Sequence, residues 1–134
     1  MSTSENNKRP IIIYMAVTLL CIIFTIAYYR FSHGVKSGYL TWLWTVPFAA
    51  GIIPSIISLF FPLLRRASFA GCYLYNSGVA AITVHVALKG IFEIAGTDSD
   101  YEKWIFAAGI VMVVAGVIVI NVSAIIKTLS GNKK

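Results

Sequence analysis

The residues of this chain that could do chemistry gather at the ends of long apolar runs: Arg30 and His33 after the first, and His85, Lys89 and Glu93 late in the third. Gly71, Gly78 and His85 are spaced seven apart, with Lys89 and Glu93 following His85 at i+4 and i+8, so on a helix they share one narrow stripe. Ionisable groups carried on a membrane span are functional candidates by default. Two imidazoles on different helices suit three chemistries: axial ligation of a haem, binding of a transition metal, or proton exchange near neutral pH. Each residue also has a plain structural reading. Lys89 and Glu93 can pair at i,i+4 near the interface with the lysine snorkelling, Arg30 and His33 can end a helix among headgroups, and His85 can be a packed polar residue bonded to a hydroxyl or carbonyl. The chain has only two histidines, which leaves a haem ligand set no spare.

These residues need elements to hold them, and the composition says of what kind. Of 134 residues, 58% are hydrophobic and 12% charged, about half the charge of a soluble domain. Four runs, at about 11–29, 39–63, 68–95 and 104–126, reach the roughly 20 residues that a helix needs to cross a bilayer core. They are continuous rather than alternating, so helices are predicted and a barrel is not. The expected fold is all-α: one four-span transmembrane domain over 11–127, a helical bundle, with short polar tails at 1–10 and 128–134. Lys8, Arg9, Arg65, Arg66, Lys127, Lys133 and Lys134 fall on one side of it, and Glu93, Asp98, Asp100 and Glu102 on the other. By the positive-inside rule both termini are expected in the cytoplasm. The net charge of +6 is therefore explained by topology, and nucleic acid is not an expected partner.

Along the chain, Pro47, Gly51 and Pro54 interrupt the second span, and the two prolines share a face and predict a kink. Gly109 and Gly116 on the fourth span repeat at the spacing of Gly71 and Gly78 on the third. Small residues allow close backbone approach in lipid, so these two stripes are expected to pack together, turning His85 toward protein. Asn76 and Asn121 lie off the stripes and have other spans, a second copy or local carbonyls as partners. Asp98 or Ser99 is the expected N-cap of the last helix, with Glu102 or Lys103 in its first turn. Cys21 and Cys72 differ in depth by roughly 9 Å at 1.5 Å per residue, too far for an easy disulfide. No phosphate loop, Cys-x-x-Cys, His-Glu-x-x-His or Gly-x-Ser-x-Gly motif occurs, and no carboxylate pair lies inside a span.

The segment Tyr29-Arg30-Phe31-Ser32-His33-Gly34-Val35-Lys36-Ser37, with Asn76-Ser77-Gly78 and Gly90-Ile91-Phe92-Glu93-Ile94-Ala95-Gly96, resembles a group of small four-span membrane proteins of Gram-positive bacteria. That group shares a Phe-Ser-His-Gly-Val-x-Ser loop and has no established activity, so the resemblance implies fold and location without a mechanism. Where the group has a small residue in the middle of the third span, this chain has His85, so a His33–His85 ligand pair would not be a group property. The expected function is that of a multi-pass protein of the plasma membrane, without enzymatic activity or resident metal, acting as an accessory or scaffold subunit toward the bilayer, a second copy or a larger membrane protein. A haem- or ligand-binding module near the outer face is the alternative, and an oligomeric channel or carrier lined by the proline-bearing helix is the third reading.

Overall fold

The computed structural model describes residues 5–60 and 68–131. Among the described residues it is all-helical, and four segments are long and apolar enough to cross a membrane: Arg9–Phe31, Gly38–Ser58, Phe69–Ala95 and Tyr101–Ser130. The elements are α1 (Glu5–Phe31), α2 (Gly38–Trp42), α3 (Thr45–Pro47), a π-helical turn (Phe48–Ile52), α4 (Ile53–Phe60), α5 (Phe69–Ala95) and α6 (Tyr101–Gly131). Two boundaries differ from those expected. α1 already begins at Glu5 and runs through Pro10, while α6 continues to Gly131, with Thr128 Oγ1 donating to the Ala124 carbonyl at 2.9 Å. Residues read as polar tails thus extend the first and last helices. The end of the second span near Leu63, the turn with Arg65 and Arg66, and the terminal Lys133 and Lys134 lie outside the described residues.

The second span is not one regular helix. Pro54 has no N–H, so the Ala50 carbonyl, four residues before it, loses its α-helical donor. The π-helical turn falls here, and the Tyr75 hydroxyl of α5 donates to that carbonyl at 2.7 Å. Pro47, Gly51 and Ile52 are all buried. Gly51 is pressed by the Tyr14 ring of α1 so closely that a Cβ there would overlap it.

Neighbours in sequence are neighbours in space. α1 packs on the second span, the second span on α1 and α5, and α5 along the whole of α6. The last of these contacts is a small-residue seam. A Cβ added at Gly78 would sit 2.7 Å from the Gly109 carbonyl oxygen, and one at Gly116 would sit 2.6 Å from the Tyr75 nitrogen. Gly71 meets Ile120 and Val119 in the same way. Bare backbone is what lets these antiparallel helices approach so closely.

Candidate functional site

The α5–α6 seam leads directly to the chemistry. One heptad beyond Gly78 on α5 is His85, and one heptad before Gly109 on α6 is Glu102, so the register that pairs the glycines also pairs these two. His85 is buried, with its ring 4.8 Å from that of Phe106. Its Nδ1 lies 2.8 Å from the Glu102 carbonyl oxygen. A carbonyl only accepts, so Nδ1 carries the hydrogen in that bond.

Glu102 is the residue that sequence reasoning undervalued. Its side chain is 1% exposed, and its Oε1 accepts the Lys89 ammonium at 2.7 Å. The expected i,i+4 pair between Lys89 and Glu93 is therefore corrected: Lys89 reaches across to α6 and lies 5.4 Å from the Tyr39 ring centroid. Glu93 instead accepts a hydrogen bond from Ser37 Oγ. The reason is competition between partners. The Glu102 carboxylate is already fixed by burial at the seam, so pairing with it freezes only the lysine's torsions, whereas Glu93 is taken up by Ser37.

Ser37 is the hinge of the second half of this cluster. It is buried, caps α2 by accepting from the Leu40 N–H at 3.3 Å, and its carbonyl accepts the Tyr29 hydroxyl at 2.7 Å. Gly90 makes the approach feasible, because its Cα faces Leu40 and Ser37 Oγ with no room for a side chain. Thr25 of α1 completes the junction by donating to the Leu40 carbonyl at 3.0 Å. Ser37 on one side, and Gly90 and Glu93 on the other, meet here.

Two of the candidate residues stand apart. His33 is exposed, with φ of 50°, in the turn that Ser32 closes by donating to the Val35 carbonyl at 2.8 Å. Arg30 is exposed in the last turn of α1. Neither side chain makes a hydrogen bond or ion pair among the described residues, so no such bond joins His33 to His85. The expected caps also differ. Asp98 accepts only from the Ser99 amide at 2.9 Å, whereas Asp100, just before α6, binds Lys103 at 2.7 Å. That hydrogen bond holds the Asp100 carboxyl below the usual carboxylate range.

The packing leaves concave spaces among the described residues. At the end of α5 a cleft of about 310 Å³ is lined by Tyr39, Lys89, Phe92, Glu93, Asp98 and Glu102 among others. Between α1 and α5 lies an apolar groove of about 360 Å³, with Tyr14 and Asn76 on its wall and the tyrosine donating to the Asn76 amide oxygen at 2.6 Å. Asn121 makes a local bond to the Val117 carbonyl at 2.8 Å. Cys21 and Cys72 are both free, and no cluster of three His, Cys, Asp or Glu side chains able to hold a metal ion occurs among the described residues. Comparison of the chain with protein-family models, with curated proteins and with solved structures finds no match.

Proposed function

We propose that the chain is a multi-pass protein of a bacterial plasma membrane, both termini cytoplasmic, that acts without enzymatic activity as an accessory or scaffold subunit. Its partner in the bilayer is a second copy or a larger membrane protein. The observation that carries this reading is the position of α6, which packs chiefly along α5 and leaves Val111, Val114, Ile118, Val122 and Ile125 exposed along its length. Several of the polar groups near the helix ends join helices: Lys89 to Glu102, Ser37 to Glu93, His85 to a backbone carbonyl. Such bonding favours a holding role over a reactive one. The bias of Lys and Arg toward the side of the termini supports the orientation, and the resemblance to small four-span proteins of Gram-positive bacteria supports the location. A haem between His33 and His85 gains no support from these contacts.

The test is photo-crosslinking in native membranes from a reactive amino acid placed at Ile118, with Leu20 on α1 as the comparison site. A discrete protein adduct from Ile118 is the expected result. Lipid adducts alone, in protein that is correctly inserted by a carboxy-terminal topology reporter, would remove the scaffold reading.

A further inference from the structure

The Lys89–Glu102 pair satisfies only half of the carboxylate it contains. Oε1 takes the ammonium at 2.7 Å, but Oε2 is buried and receives no hydrogen bond from any described residue, although the side chain is only 1% exposed. A buried carboxylate oxygen without a donor is costly, and Glu102 stands on the wall of the cleft at the end of α5.

The rest of the cleft says what kind of donor fits. Its charged lining is Glu93, Asp98 and Glu102 against Lys89 alone, three carboxylates to one ammonium, a formal excess of two negative charges. Its volume of about 310 Å³ is far more than a bare ion fills and lies near the lower end of small-molecule pockets, roughly 300–1,000 Å³. Tyr39 and Phe92 add apolar wall. Because Glu93 is already turned to Ser37, the carboxylates do not converge as a metal-ligand set.

The geometry points to a binding site for a protonated primary amine, with its ammonium on Glu102 Oε2, Asp98 in support, and its short carbon chain against Tyr39 and Phe92. The N–H is essential, since an unpartnered oxygen calls for a hydrogen-bond donor and not merely a positive charge. A quaternary ammonium carries the charge and lacks the hydrogen. Such an amine has two sources: a small free amine, or the ethanolamine headgroup of a phospholipid, which lies at the depth where the spans end.

The experiment uses the full chain in phosphatidylcholine nanodiscs, titrated calorimetrically with ethanolamine and separately with choline, sodium and calcium. In parallel, thermal unfolding is compared in discs with and without phosphatidylethanolamine. Saturable ethanolamine binding that choline does not compete for assigns a free amine. A rise in Tm given by phosphatidylethanolamine, without calorimetric binding of the free amine, assigns the headgroup. In either case Glu102→Gln should weaken the effect about ten-fold or more, the loss of one charge-assisted hydrogen bond. Asp98→Asn, at an exposed position outside the helices, should weaken it several-fold with the helical content unchanged. The proposal is overturned if neither amine source affects folded wild-type protein, if choline acts equally, if sodium or calcium saturates the site ahead of ethanolamine, or if both variants respond as wild type does.

Discussion

Lys89 and Glu102 share one ion pair but not one environment, and the asymmetry decides which change hurts. The lysine side chain is 32% exposed and the glutamate 1%. Removing the lysine strands a buried charge, whereas removing the glutamate leaves an ammonium that can turn to water. Lys89→Met is therefore expected to destabilise the protein, though by less than breaking a fully buried pair does, because one end of this pair is partly solvated. Adding Glu102→Gln to it should recover more than half of that loss, since no unpaired charge then remains. Reversible unfolding in mixed micelles, followed by circular dichroism, measures both. Equal stability of the single and double variants would mean that Glu102 is already well solvated or neutral.

Between α5 and α6 the controlling quantity is backbone distance, and glycine is its instrument. A side chain at Gly78 collides with the Gly109 carbonyl oxygen and the Val113 nitrogen, both at 2.7 Å from its Cβ, and neither atom can rotate away. Gly38, in the first turn of α2, has nothing within 4 Å. Gly78→Ala should thus cost about 1–3 kcal/mol, while Gly38→Ala should be neutral or gain about 0.5 kcal/mol from a stiffer unfolded chain, in the same unfolding assay. A similar loss at both positions would show that helix content, not helix separation, limits stability. This seam was legible in the sequence, because two heptad-spaced glycine pairs on long apolar runs have few other uses. The partner of Lys89 was not. Finding it required carrying the glycine register one heptad further, from Gly78 and Gly109 to His85 and Glu102, which places Glu102 at the seam rather than merely in a first helical turn. Tyr75 was missed for a comparable reason: counting back four residues from Pro54 identifies a carbonyl in need of a donor, but only three-dimensional packing says which hydroxyl arrives.

At the scale of the whole molecule, the chain is two antiparallel pairs of spans, and the second span packs on α5 as well as on α1. The sequence disclosed four spans because length and apolarity are local properties. How the hairpins meet depends on helix rotation, which local pattern does not set. Across the junction stand Ser37 on Glu93, Leu40 over Gly90, Tyr75 on the Ala50 carbonyl and Tyr14 on Asn76. Three of the four are hydrogen bonds, and two of these, Tyr75 on Ala50 and Tyr14 on Asn76, lie within the spans, where little water competes with them. The two halves should therefore recognise each other without a covalent link. Residues 1–64 and 65–134, co-expressed as separate chains with different tags, are expected to co-purify from mild detergent. Each half keeps a complete pair of spans, and folding in membranes allows spans to insert before they associate. Gly90→Leu in the second half should abolish co-purification, because it lifts α2 off α5 and separates Ser37 from Glu93 together. Gly109→Leu falls at the α5–α6 contact rather than at the junction and should leave the halves associated while disturbing the α5–α6 seam. If Gly90→Leu halves still co-purify as well as unaltered ones, the hairpins are held by something other than this junction, and the helix order α1, second span, α5, α6 would have to be redrawn.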